Sequence, residues 1–356
     1  MSTVDEVTPR ARSWWRRALR VVVWLVVAVF AWIALTRLVG AVDWGAVADA
    51  FATLPLWVVL PLLVALLVRQ VLNAVPLERY VAGLSLFRSL QNDLAAGLVG
   101  AFTPPPADVV IRVSMFRAWG VDPAQGLAGV GLNTATFYAV RFGVPVVGIA
   151  LLALGEGADL GQVVSTVLCA IVAAACLVGL AMLLRSSALA DWLGRTAARA
   201  VRRVRRSVEE DVWAAYLVDL RERTSDRLRT GLVPALLSLV AMVVVDGLMV
   251  VLTLRAVGVP TSVVTVVDVL AAFLVAYPLT LLPMFGFGVL DAVLVGAWTT
   301  IAGAVWEADL VAAVLVWRVV TLVGPLVLGV LVVLLWRRAV RRDERAGTVT
   351  DGPTST

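Results

Sequence analysis

Apolar runs of bilayer-crossing length recur along this chain, and arginine separates them. The runs are Val21 to Thr36, Leu54 to Leu72, Leu127 to Leu154, Val163 to Leu184, Leu232 to Leu254 and Leu310 to Trp336. A crossing helix needs about 20 apolar residues, and hydrocarbon supplies no water to the backbone, so each N–H and C=O must be satisfied within the helix itself. Composition agrees, with 61% apolar and 15% charged residues, well outside the range of soluble domains. The expected fold class is an all-α polytopic membrane protein.

Arginine also fixes the orientation. Arg10, Arg12, Arg16, Arg17 and Arg20 precede the first run, Arg69, Arg79 and Arg88 follow the second, and Arg337, Arg338, Arg341 and Arg342 follow the last. Under the positive-inside rule both termini are cytoplasmic, which predicts a multi-pass protein of the cell (inner or plasma) membrane. The first run ends without a small-x-small cleavage site and is expected to stay as an anchor. The net charge of +5 rests on arginine alone, since the sequence has no Lys, and its placement beside apolar runs points to an anionic leaflet and not to nucleic acid. The chain has no His, which removes the commonest metal ligand and general base. Cys169 and Cys176, seven apart in one apolar run, read as small buried hydrophobes. No metal, cofactor or enzymatic activity is expected. Trp57, Trp298, Trp306 and Trp336, near run ends, read as interface anchors.

Two stretches share their punctuation. Gly83 leads to a break at Pro104, Pro105 and Pro106, then Asp108, then a segment with Arg141, Pro145 and Gly148. Gly258 leads to a break at Pro283, Gly286 and Gly288, then Asp291, then a segment with Arg318, Pro325 and Gly329. The interval from glycine to arginine is 58 residues in one and 60 in the other. By arginine bookkeeping, the helix before the first break runs inward and the one before the second runs outward. This predicts an inverted-topology repeat with re-entrant or broken helix pairs, the arrangement that places a substrate site at mid-membrane. Residues 14–343 then form one transmembrane domain, with repeat one at about 54–154 and repeat two at about 232–336. Residues 185–231 join them as a cytoplasmic amphipathic basic segment, and 1–13 and 344–356 are expected to be disordered tails. Val263 to Leu282 is also long enough for a full crossing.

A non-helical break survives in a bilayer only where it faces protein or a wet cavity. Half-helices starting there would aim N–H groups at an anion, and Gly286 and Gly288 beside Pro283 would let a head group approach the backbone. Arg141 and Arg318 lie inside apolar runs at a cost of about 2.5–3.5 kcal/mol each, so each marks a function or has a partner. They read either as bidentate phosphate contacts or as members of ion pairs with Asp108, Asp246, Asp268 or Asp291. Asp108 and Asp291 read as helix caps or substrate contacts. Asp246 and Asp268 read as coupling sites or arginine partners.

The stretches Pro104-Pro105-Pro106-Ala107-Asp108 with Arg112, Pro283-Met284-Phe285-Gly286-Phe287-Gly288-Val289-Leu290-Asp291, and Trp317-Arg318 with Pro325 and Gly329 resemble the lysylphosphatidylglycerol synthase transmembrane-domain family, the flippase-like membrane proteins. Asp291 stands where that family usually carries glutamate. The resemblance implies a domain that moves lipids between leaflets. Together with the charges and breaks read above, the expected substrate-binding residues are Arg112, Arg141, Arg318, Asp108, Asp291, Gly286, Gly288 and Pro283. The helix starts and arginines lead to an anionic phospholipid or glycolipid as the expected ligand, and the basic segment 185–231 to a lipid-synthesis enzyme as a possible partner. A soluble aminoacyl-transferase domain is absent from the sequence, so lysyl transfer is not expected. Two rival functions are a membrane glycosyltransferase using a polyprenyl-phosphate donor and a non-transporting scaffold for a lipid synthase.

Overall fold

The computed structural model describes residues 55–103, 107–154, 210–282 and 286–350, with 45, 49, 161, 164, 167–175 and 178. The first apolar run, the prolines at 104–106, Pro283, Cys176, Arg195 to Arg206 and residues 1–13 lie outside the described residues. Among those described, every regular element is helical. Four stretches are long and apolar enough to cross a membrane: Leu56–Tyr80, Pro123–Leu152, Thr230–Val257 and Ala304–Ala339.

In chain order, α1 is Val59–Tyr80, α2 Leu86–Phe102, α3 Ala107–Ala118, α4 Pro123–Leu154 and α5 Glu210–Val257. The second half continues with α6 Val266–Ala276, a 3-10 turn Tyr277–Leu281, α7 Val289–Ala302 and α8 Glu307–Arg318. A π turn Val319–Val323 then leads into α9 Gly324–Thr350. The α2/α3 pair has arms of 17 and 12 residues. The α6/α7 pair has arms of 11 and 14, the first extended by its 5-residue 3-10 turn. None reaches the roughly 20 residues of a crossing. The 263–282 stretch is divided because Pro278, which lacks an N–H, cannot continue the α-helical ladder to Leu274. Beyond it Gly286 and Gly288 take positive φ of 73° and 83°, a conformation that glycine adopts without steric cost.

Two expected boundaries move. Residues 210–231 of the basic segment belong to the same helix as the following crossing, since nothing between Glu210 and Val257 breaks the helix except Pro234, which it accommodates. Helix α9 reaches Thr350, past residue 344. Trp298 is a core residue and not an interface anchor, with no exposed surface.

Asp246 of α5 pairs with Arg69 near the middle of α1, and Gly231 lies against Arg79 at the α1 C-terminus, so α1 and α5 run antiparallel. The other contacts are reciprocal. Helix α4, which follows the first hairpin, packs on α6 of the second, and α9, which follows the second, packs on α2 of the first. A Cβ on Gly148 would meet Val275 N at 2.9 Å and Ala271 O at 3.0 Å, and one on Gly329 would meet Leu94 O at 2.7 Å and Leu98 Cβ at 2.9 Å. Lipid tails are as apolar as leucine, so helices in a bilayer associate through such close fits of small residues. The largest core joins α5 to α8, with Phe273 edge-on to Tyr277 and Trp317 at centroid distances of 5.5 and 5.8 Å.

Candidate functional site

Charge is buried at the mid-points of the crossing helices. Arg69 lies 13 residues from Leu56 and 11 from Tyr80, the ends of its span. Its Nε donates to Asp246 Oδ1 at 2.6 Å and its Nη1 to Gln70 Oε1 at 2.9 Å. Asp246 is 3% exposed. Asp246 is therefore an arginine partner, one of its two sequence readings. Arg69 counted in sequence only as a marker of orientation, because its partner is 177 residues away and no local pattern shows the contact.

Arg318, 3% exposed, donates from Nε to Asp291 Oδ1 at 2.5 Å and stands 4.6 Å from the Trp317 ring centroid. The other oxygen of Asp291 accepts from Gly288 N at 2.8 Å. One carboxylate thus caps α7, neutralises its positive helix end and balances a buried arginine, the cap and ion-pair alternatives together. Gly286 is buried and packs on the Leu279 carbonyl.

In the first hairpin Arg112 ties the arms together. Its Nη1 donates to Asn92 Oδ1 at 2.6 Å and Asp93 Oδ1 at 2.8 Å. Asp108 sits in the first turn of α3, half-buried beside Gly100, and makes no ion pair among the described residues. Asp268 is neither deeply buried nor paired with arginine. It closes a capping box, accepting from Thr265 N at 3.0 Å and Thr265 Oγ1 at 2.6 Å while Thr265 Oγ1 accepts from its N–H.

Arg141 differs from all of these. It is 7% exposed, and no carboxylate among the described residues pairs with it. Its guanidinium lies over Phe137 at 4.1 Å and near Tyr277 at 5.7 Å, within the range of cation–π attraction. Its Nε, buried, has no partner among the described residues. Pro145, four residues on, has no N–H to give the Arg141 carbonyl, which loosens the helix there. The Arg69–Asp246 pair lies near Tyr277 and Arg141, so four elements bring together two cations, one carboxylate and one phenol. Tyr277 was missed in sequence, since an aromatic beside a proline gives no signal of its own.

Of the predicted site residues, the structure gives Arg112, Arg318, Asp291 and Gly288 internal partners and packs Gly286 against backbone. It leaves Asp108 at a helix start and Arg141 without a counter-charge among the described residues, while Pro283 lies outside the described residues. Comparison with protein families matches the description Lysylphosphatidylglycerol synthase TM region over residues 18–329. No curated protein matches the chain.

Proposed function

We propose, since the chain belongs to the lysylphosphatidylglycerol synthase TM region family, that it takes an anionic lipid head group into a mid-membrane site and passes it between leaflets. The observation that carries this reading is Arg141, a buried guanidinium with aromatic neighbours and no carboxylate partner among the described residues. Intramembrane arginine is costly and by default marks a substrate path or a counter-ion. A charged head group crossing hydrocarbon alone faces a similar penalty, and Arg141, Tyr277 and Arg69 offer it fixed donors in place of water. The two broken hairpins, each packed on the closing crossing of the other half, support an inverted repeat. In that architecture one half rocks against the other around a fixed site. The arginine flanks favour the inner or plasma membrane with both termini cytoplasmic. This reading assigns the chain transport and not catalysis.

The test is leaflet exchange of fluorescent acyl-labelled lipids in vesicles holding the purified protein, with external dithionite as the quencher. Faster exchange than in protein-free vesicles, slowed by Arg141→Ala at equal protein content, is the expected result. Exchange at the protein-free rate for every head group would return the chain to the scaffold or enzyme classes.

A further inference from the structure

We propose that Asp93, on the first arm of the first hairpin, is a proton-binding site, taking a proton on its buried Oδ2 and releasing it as the hairpin loosens and closes. That the proton assists lipid movement rests on the transport reading above; that Asp93 binds it does not.

The acids of the described membrane helices differ in how their oxygens are answered. Asp291 has both engaged, Oδ1 by Arg318 Nε and Oδ2 by Gly288 N. Asp246 is held by Arg69, and Asp268 closes its capping box with Thr265. The two acids that the sequence offered as coupling sites are thus engaged elsewhere. Asp93 is different: its side chain is 9% exposed, Oδ1 accepts from Arg112 Nη1 at 2.8 Å, and Oδ2 is buried with no donor among the described residues. An ionised carboxylate oxygen out of reach of water and of any donor is costly, and a proton placed on it removes the charge.

Arg112 lets the site lose its charge without coming apart. The same Nη1 donates to Asn92 Oδ1 at 2.6 Å, and Asn92 is fully buried. When Asp93 is neutral, the amide, which does not titrate, still holds the guanidinium. The new O–H is a donor, and the Ser89 carbonyl, four residues back on α2, stands where helix side chains bearing an O–H commonly bond. One O–H bond forms with a proton from water, and the pair passes from neutral to a charge of plus one, because the guanidinium stays protonated. The ion pair between the arms is then gone, which loosens α2 from α3. Asp93 lies seven residues into α2, about 10 Å from its start at 1.5 Å per residue, a depth at which an acid by default marks an ion or proton path.

The surrounding charges leave this exchange to Arg112. Of the helices packed on α2, α3 also carries Asp108 and Arg117, but in its first and last turns. On α1, Arg69 is taken by Asp246 and Glu78 by Arg79. On α9, Arg337 and Arg338 are exposed, and Arg88 of α2 itself lies over Trp119. Among the described residues, Arg112 is the charge that acts on Asp93.

The experiment has two arms, both on the full chain in phosphatidylcholine vesicles. Infrared difference spectra, taken as the buffer is moved from mildly alkaline to acidic, should show a carboxylic-acid C=O stretch that Asp93→Asn removes and Asp93→Glu restores at a shifted position. Lipid exchange should quicken as pH falls, by up to about tenfold per unit while the site is sparsely occupied, and Asp93→Asn should lose that response. Absence of an Asp93 band at every pH where the protein stays folded would overturn the proton site and, if exchange continues, leave lipid movement standing. A titrating band with pH-indifferent exchange would support the site and overturn its part in transport. A titrating band with no exchange at all would support the site and remove the transport reading. If Asp93→Asn does not fold, the shift of the band in Asp93→Glu makes the assignment alone.

Discussion

The buried arginines divide by whether a carboxylate among the described residues pairs with them, and this predicts opposite costs of removal. Arg318→Ala strands the Asp291 carboxylate, 5% exposed, and breaking a buried pair from one side costs about 3–5 kcal/mol. Arg318→Met combined with Asp291→Leu should recover much of that, because an apolar pair of similar volume removes both charges. Arg141→Ala strands no carboxylate among the described residues, so it should lose little stability, or gain some, while losing exchange. Thermal unfolding of the detergent-solubilised variants checks the ranking: Arg318→Ala well below the double variant, with Arg141→Ala close to wild type. An Arg141→Ala protein as unstable as Arg318→Ala would mean that Arg141 is a structural group.

At the scale of elements, prolines and glycines decide how the closing crossings lie. Pro325 cannot donate to the Thr321 carbonyl, and its ring crowds that oxygen. The helix widens to a π turn at Val319–Val323 immediately before it, one of the recognised causes of a helix kink. Gly148 and Gly329 bring α4 and α9 onto the backbones of α6 and α2. Gly148→Leu and Gly329→Leu should each cost about 1–3 kcal/mol by overpacking, with similar midpoint shifts in thermal unfolding. A cost confined to one of them would argue that the two contacts are not copies. The turns at Gly83, Gly258, Gly286 and Gly288 were legible in sequence because glycine adopts positive φ without steric cost whatever surrounds it. The crossings at 123–152 and 230–257 were legible for a similarly local reason, their unbroken apolar length. The cap at Asp291 was open to reading, since its partner is three residues away. What could not be read was long-range: Arg69 with Asp246, Arg112 with Asp93 across a hairpin, and Tyr277 beside Arg141. In each, the chemistry depends on helix packing that periodicity does not encode. The continuity of the basic segment with the crossing at 230–257 was not legible for another reason. Charge marks where a helix leaves hydrocarbon, not where it stops, and α5 continues on both sides of that line.

For the whole molecule, hairpin arms below crossing length predict that each hairpin begins and ends on one side of the membrane. Ser85 and Asp122 flank α2/α3, and Ser262 and Ala304 flank α6/α7; all four are exposed. Single cysteines at these positions, in a chain with Cys169 and Cys176 replaced, can be tested with a membrane-impermeant thiol reagent on intact cells and on inverted vesicles. Ser85→Cys and Asp122→Cys should react from the same side, the side of Arg79 and Arg117, which the positive-inside rule makes cytoplasmic. Ser262→Cys and Ala304→Cys should react together from the opposite side, because α1 and α5 are antiparallel and carry the chain to opposite faces before each hairpin. Labelling of Ser85→Cys and Asp122→Cys from opposite faces would make α2/α3 a crossing. The reciprocal packing would then no longer relate two inverted halves. Labelling of the two pairs from opposite faces leaves Arg141, Arg69 and Asp246 at mid-depth between hairpins that enter from either side. There a head group could be approached from each leaflet in turn.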